Sequence, residues 1–189
     1  MPDRCDLPLV RRGTPVCRHR LGRAVTCRPA TVAAIAAVSL CATLVWPPRP
    51  RLVWNASASS PTGLYLVGPP RRIRRGDIAV AWPPEAMRLV AARRRYLPLR
   101  VPLVKRVGAV AGDRVCAVGE AVSINGRTTT QRRNEDALGR PLPWWTGCET
   151  LSDGEILLLS PAAASFDGRY FGVTNGRDVI GQARLLWPG

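Results

Sequence analysis

From about residue 52 onward, the chain consists of short apolar runs bounded by glycine, proline, aspartate or asparagine. Runs of this length and spacing are typical of β-strands joined by tight turns. One stretch, 85–97, has a helical pattern between two prolines, and Asn125-Gly126 predicts a tight hairpin turn. The sequence therefore predicts a mainly β domain, with strands at 64–67, 78–82, 103–107, 114–118, 121–124, 156–159 and 179–186.

The N-terminal part of the chain has a different composition. Residues 1–28 hold seven arginines without apolar periodicity and predict a disordered basic tail. Residues 31–46 carry no charge, although a run of this length is at the short end for a membrane-spanning helix. A cleavable signal peptide is the alternative, but no convincing cleavage site of small residues precedes the prolines. We expect an uncleaved transmembrane anchor at 29–46.

The order of these segments predicts the topology of the whole chain. By the positive-inside rule, the tail 1–28 lies in the cytoplasm and the residues after the anchor lie on the other side of the membrane. A proline-rich linker at 47–54 follows the anchor, and the main domain occupies 55–189.

The formal net charge of +15 raises the question of nucleic-acid binding. The arginines form no regular helical stripe, aromatic residues are few, and no nucleic-acid-binding motif is present. We therefore expect no nucleic-acid partner, and attribute the charge to attraction by a membrane surface or to compositional bias. A DNA-binding membrane protein is kept as the weaker alternative.

Two of the six cysteines, Cys116 and Cys148, lie in the main domain. The cysteine spacings match no zinc motif, so we expect no metal site. If the domain faces an oxidising compartment, Cys116 and Cys148 are a natural disulfide pair. In the cytosol they would instead be two unpaired buried thiols.

One lysine, Lys105, stands among 28 basic residues of which the other 27 are arginine. A desolvated lysine can lose its proton and act as a base, whereas arginine cannot. In a strand, Leu103, Lys105 and Val107 share one face, so that apolar neighbours lower the pKa of the lysine. The sole histidine, His19, lies in the tail, which excludes a Ser-His-Asp triad in the main domain. A nucleophilic serine would thus depend on Lys105; compositional bias toward arginine is the alternative explanation.

Five segments resemble those of one known family. They are 55–65 (NASASSPTGLY), 103–115 (LVKRVGAVAGDRV), 122–126 (VSING), 139–148 (GRPLPWWTGC) and 165–172 (SFDGRYFG). In this order they resemble the TraF-type conjugal-transfer peptidases, a branch of the signal peptidase I family with a Ser/Lys dyad. The resemblance implies a signal peptidase-like β-barrel or sheet domain behind an N-terminal transmembrane helix, and no cofactor.

The resemblance also implies roles for individual residues. It makes Ser59 the nucleophile and Lys105 the general base, with Ser57 as a second donor to the oxyanion beside the backbone N–H of Ser59. The family's lysine-binding serine corresponds to Ser165, and the pair that braces the site corresponds to Asp167 and Arg169.

Other interpretations of these segments remain open. The serines after Asn55 also fit a polar turn, and Asn55-Ala-Ser57 is a glycosylation sequon. The segment that begins at Ser165 fits an ordinary β-turn. The chain also lacks the Gly-Asp-Asn signature of many general signal peptidases, and 160–165 (SPAAAS) stands in its place.

The resemblance implies that the chain processes a pilin-like precursor for conjugative transfer. Processing would be cleavage of the precursor and, through the same acyl-enzyme, its head-to-tail cyclisation. The expected partners are that precursor, inner-membrane lipid and conjugative type IV secretion components. The expected location is the bacterial inner membrane, single-pass, with the catalytic domain in the periplasm. The alternatives are a general type I signal peptidase and a non-enzymatic, membrane-tethered assembly component.

Overall fold

The computed structural model describes residues 24–45, 50–70 and 73–189 of the chain. The chain divides into two compact units between Pro48 and Arg49. The described part of the first unit is a single helix, α1 (Ala24–Val45). The described part of the second contains the strands, two further α-helices and one short 3-10 turn.

Helix α1 covers most of the predicted anchor at 29–46, and its first residues fall in the predicted disordered tail 1–28. Among the residues that the structure describes, no helix is long and apolar enough to cross a membrane. The predicted transmembrane helix is therefore not supported. The tail up to residue 23 lies outside the described residues.

A six-stranded antiparallel sheet forms the centre of the second unit. Its spatial order is β1 (Leu52–Asn55), β2 (Gly63–Val67), β10 (Val179–Pro188), β3 (Ile78–Ala81), β4 (Leu103–Ala109) and β9 (Leu157–Leu159). The mainly β prediction is confirmed. Strand β1 begins within the segment 47–54 that the sequence predicted as linker.

A second antiparallel sheet has the order β7 (Arg127–Gln131), β6 (Ala121–Ile124), β5 (Arg114–Val118) and β8 (Gly147–Thr150). Asn125 and Gly126 form the turn between β6 and β7, with φ angles of 51° and 79° that suit a tight hairpin. Cys116 and Cys148 face each other across β5 and β8 and are joined by a disulfide bond. The bond closes the chain segment between them, which includes residues that line the cleft described below.

Strand β4 is buried on both faces of the central sheet, except at Arg106. On one face Val104 packs in a cluster with Tyr65 and Val80, and on the other Val107 packs with Leu158. Side chains alternate along a strand, so the face of Val107 is also the face of Lys105. The sheet thus places the only lysine in an apolar layer.

Helix α2 (Glu85–Arg93) lies between β3 and β4 and is shorter than the predicted 85–97. It ends because Arg95 takes a left-handed conformation, with φ 61°, which a helix cannot continue. A third helix, α3 (Gly168–Phe171), is one turn long and follows directly after Asp167.

Candidate active site

Ser59 lies in the loop 56–62 that connects β1 to β2. The two strands are paired as far as Asn55 and Gly63, so strand pairing fixes both ends of the loop. Gly63 has a φ of 138°, and a Cβ there would lie 2.1 Å from the carbonyl oxygen of Trp187. Only glycine fits this position, which fixes the end of the loop at the start of β2.

Lys105 reaches this loop from β4. Its side chain is 4% exposed, and its Nζ lies 2.5 Å from Ser59 Oγ and 2.7 Å from Ser165 Oγ. The amine is therefore enclosed between two hydroxyl groups. Ser60, the residue after Ser59, donates a hydrogen bond from Oγ to the carbonyl of Val104 at 2.9 Å, which ties the loop to the strand that carries the lysine.

The pKa of Lys105 is lowered to about 8. Burial is the main cause, because it disfavours the charged form; the carboxylate of Asp167 raises the pKa and the guanidinium of Arg169 lowers it. With such a pKa, about a tenth of the lysine is a free amine at pH 7. The lowered pKa predicted for Lys105 from its apolar neighbours agrees with this.

Ser57 supplies a second hydroxyl beside Ser59. Its Oγ lies 2.8 Å from Ser59 Oγ and accepts a hydrogen bond from the backbone N–H of Ser59 at 3.3 Å. The hydroxyl of Ser57 and the N–H of Ser59 thus meet at one point next to the attacking atom. A carbonyl oxygen that entered there could accept a hydrogen bond from each, as the expected oxyanion interaction requires.

Asp167 and Arg169 form a buried ion pair, with 0% and 1% of their side chains exposed. Arg169 Nε donates to Asp167 Oδ1 at 2.8 Å and Arg169 Nη2 donates to Oδ2 at 3.1 Å, a two-point contact. Arg169 also donates to the carbonyls of Ser160 and Ala163. The pair therefore fixes the course of the segment that includes Ser165.

Ser160 is a site residue that the sequence analysis did not identify. Its Oγ donates to the carbonyl of Ser59 at 2.6 Å, and its N–H donates to Asp167 Oδ2 at 2.9 Å. The buried ion pair is thereby connected to the peptide unit of Ser59. One signal in the sequence could have identified Ser160. It is a hydroxyl residue directly after the apolar strand at 157–159, in the place where the Gly-Asp-Asn signature is absent.

In the sequence, Asn55 begins the segment 55–65 that carries the family resemblance, and it also fits an interpretation as a glycosylation site. That interpretation is wrong, because its side chain is 6% exposed and its amide nitrogen donates to backbone carbonyls of the loop. Burial denies a glycosylating enzyme access to this nitrogen, and an attached glycan would break those hydrogen bonds.

A cleft of about 770 Å³ opens beside Ser57, Ser59, Lys105 and Ser165. Most of its wall is apolar and includes Ala58, Leu97, Val101, Leu103, Ala164 and Phe166. The structure brings together all six predicted residues of the site, while Cys116 and Cys148 lie in the second sheet.

We predict that Asp167→Asn lowers the free energy of unfolding by about 3–5 kcal/mol, because it leaves the buried guanidinium of Arg169 without its counter-charge. The control is Asp178→Asn, which breaks the more exposed pair with Arg88 and should cost less than about 1 kcal/mol. Urea unfolding of both variants measures the difference. Equal losses in the two variants would contradict a bracing role for the buried pair.

Several known proteins are similar to this chain in sequence. Residues 24–187 match the family model described as signal peptidase, peptidase S26. The chain is 34% identical over 140 residues to the probable conjugal transfer protein TraF of Sinorhizobium fredii, covering 69% of this chain and 73% of that protein. It is 32% identical over 146 residues to a plasmid transfer protein TraF of Escherichia coli, covering 70% of this chain and 82% of that protein.

Among solved structures, a signal peptidase I from Enterococcus faecalis covers 60% of this chain and 97% of its own, at 19% identity and a TM-score of 0.35. The assignment rests on the family model, which extends over most of the chain, and on the TraF relatives. The resemblance seen in the five sequence segments is confirmed. The chain belongs to the S26 family of signal peptidases.

Proposed function

We propose that this chain is a membrane-associated serine endopeptidase that processes a pilin-like precursor for conjugative transfer. The observation that carries the proposal is the contact between the buried amine of Lys105 and Ser59 Oγ at 2.5 Å. Membership of the S26 family indicates serine peptidase activity. The conjugative setting is taken from the relatives, which are named as conjugal and plasmid transfer proteins.

The first step is formation of an acyl-enzyme. Neutral Lys105 accepts the proton of Ser59 Oγ, and the oxygen attacks the carbonyl carbon of the scissile peptide bond. The N–H of Ser59 and the hydroxyl of Ser57 stabilise the negative charge on the carbonyl oxygen. Lys105 then returns the proton to the leaving amine, the C–N bond breaks and the ester with Ser59 remains.

The second step transfers the acyl group from Ser59 to a new acceptor. Attack by water, with Lys105 again accepting the proton, releases a cleaved carboxylate product. Attack by the N-terminal amine of the same precursor releases a cyclic product with a new peptide bond. Because both acceptors use one ester, the two outcomes differ only in which nucleophile reaches the acyl-enzyme.

The supporting residues hold this geometry and do not exchange protons in the mechanism. Ser165 Oγ accepts a hydrogen bond from Lys105 Nζ at 2.7 Å and so orients the amine toward Ser59. The ion pair of Asp167 and Arg169 fixes the backbone on either side of Ser165 and, through Ser160, the carbonyl of Ser59.

The proposed location is the periplasmic side of the bacterial inner membrane, where the enzyme meets its lipid-embedded precursor and the components of a conjugative type IV secretion system. The disulfide between Cys116 and Cys148 supports an oxidising compartment, since such bonds rarely persist in the cytosol. The arginines of residues 1–28 support an N-terminus on the cytoplasmic side.

We predict that co-expression with a candidate pilin precursor shortens the precursor only when both Ser59 and Lys105 are intact. Ser59→Ala removes the nucleophile, and Lys105→Arg keeps a positive charge but cannot accept a proton. The matched control is Arg106→Lys, a basic exchange at the neighbouring exposed position, which should process normally. Intact mass spectrometry of the precursor reads the result, and a product one water lighter than the linear form shows cyclisation.

The outcome that contradicts the dyad and two further assays, of conjugation and of secretion, select between the remaining functions. Equal processing by all variants would contradict the dyad. Conjugation that persists with Ser59→Ala would support a non-enzymatic assembly component. Restored secretion in cells depleted of their own leader peptidase would support a general type I signal peptidase.

We also predict that kcat/KM on a precursor peptide rises with pH up to about 8 and then levels off. Only the neutral form of Lys105 can accept the serine proton, and its pKa is about 8, so each unit of pH below this value reduces the rate about tenfold. Stopped assays between pH 5.5 and 9.5 measure the profile. A rate independent of pH between 6 and 9 would contradict Lys105 as the base.

A further inference from the structure

Asn55 is the last residue of β1, and its side-chain amide lies inside the curve of the loop that carries Ser59. Its Nδ2 donates to the carbonyls of Ser57 at 2.9 Å, Ser60 at 3.1 Å and Pro61 at 3.0 Å. Its Oδ1 accepts from the N–H of Ser57 at 3.2 Å. One buried amide thus contacts the backbone on both sides of the nucleophile.

We propose that Asn55 is a positioning residue that holds the nucleophile loop in the conformation needed for acyl transfer. The inference rests on the peptidase function proposed above and adds a residue to which neither the sequence segments nor the family comparison assigns a role. Asn55 itself acts through Ser57 and Ser59 and does not touch the reacting atoms.

The loop needs such a residue because it turns three carbonyls toward one point. Among the described residues, the buried carbonyl of Ser60 accepts only from this amide, and a buried carbonyl without a hydrogen bond is destabilising. The carbonyls of Ser57 and Pro61 each have one further donor, the N–H of Ser60 at 3.4 Å and the hydroxyl of Tyr65 at 2.7 Å. The two hydrogens of an amide nitrogen, one of them shared, can serve all three acceptors.

The two contacts with Ser57 connect Asn55 to the chemistry. Since both the N–H and the carbonyl of Ser57 are bonded to the amide, the peptide units on each side of Ser57 are fixed. The direction of the Ser57 hydroxyl follows, and this hydroxyl lies 2.8 Å from Ser59 Oγ. Asn55 thereby sets the distance between the nucleophile and its expected oxyanion donor.

The contact with Ser60 connects Asn55 to the base. The carbonyl of Ser60 is bonded to the amide, and the hydroxyl of the same residue donates to the carbonyl of Val104, next to Lys105. A loop released at Ser60 would change the separation of Ser59 Oγ from Lys105 Nζ. Aspartate at this position could not donate to these carbonyls, because a carboxylate only accepts hydrogen bonds.

The experiment compares Asn55→Ala with the near-isosteric Asn55→Asp, which keeps the volume and the acceptor but loses the donors. The control is Asn175→Ala, an exposed asparagine that accepts from the N–H of Arg177 away from the cleft. We expect kcat on a precursor peptide to fall about 100-fold in both Asn55 variants, with KM changed less than about twofold. The Asn175 variant should keep the activity of the wild type.

Hydrogen exchange followed by NMR gives a second readout that needs no substrate. In Asn55→Ala, which removes the acceptor of the Ser57 N–H, this amide should exchange at least about tenfold faster, while that of Val80 in the central sheet stays protected. Ser59→Ala should leave both amides unchanged. If Asn55→Ala does not fold, the kcat of Asn55→Asp carries the test, because aspartate keeps the acceptor for the Ser57 N–H and loses only the donors.

These two readouts separate the inference from the function on which it rests. Wild-type protein that fails to cleave any precursor argues against the proposed function, while the exchange of the Ser57 amide still decides whether Asn55 holds the loop. Unchanged exchange at Ser57, or a kcat within about threefold of the wild type, would overturn the inference.

Discussion

The active site depends on one contact inside an apolar layer. A lysine side chain that has no charge partner is held against a serine hydroxyl there. A buried ammonium is costly, so burial lowers the pKa of Lys105 to about 8. The nearby ion pair contributes in both directions, since Asp167 raises this pKa and Arg169 lowers it. Because these two charges are paired with each other, burial determines the pKa of the lysine. The ion pair can therefore stabilise the site while the base keeps its lowered pKa.

The remaining elements of the domain hold the partners of that lysine in place. Strand β4 is fixed by apolar packing on both faces, and the loop of Ser59 is fixed at its ends by strand pairing and within by Asn55. Ser160 joins the loop to the segment that includes Ser165. Three separate parts of the chain are thus connected by hydrogen bonds to backbone groups. This rigidity is what positioning a nucleophile, a base and an oxyanion donor requires.

The sequence predicted the parts of this arrangement that follow from pattern. The apolar runs located five of the six central strands, and the resemblance to the signal peptidase I family, together with the single lysine, assigned Ser59 and Lys105 their expected roles. The sequence did not predict the roles of Asn55 and Ser160. Each role depends on the backbone carbonyls that the fold brings next to the side chain. Strand β8 was missed because it is short and exposed, without an alternating apolar pattern.

The titration of Lys105 tests the account most directly. Because the chain contains one lysine, protein labelled with ¹³C or ¹⁵N in lysine gives a single side-chain signal in NMR. The account predicts a midpoint near pH 8 in the folded protein, rising to about 10.4 when the protein is unfolded in urea. A midpoint near 10.4 in the folded protein would show a solvated, charged lysine and would contradict its role as the base for Ser59.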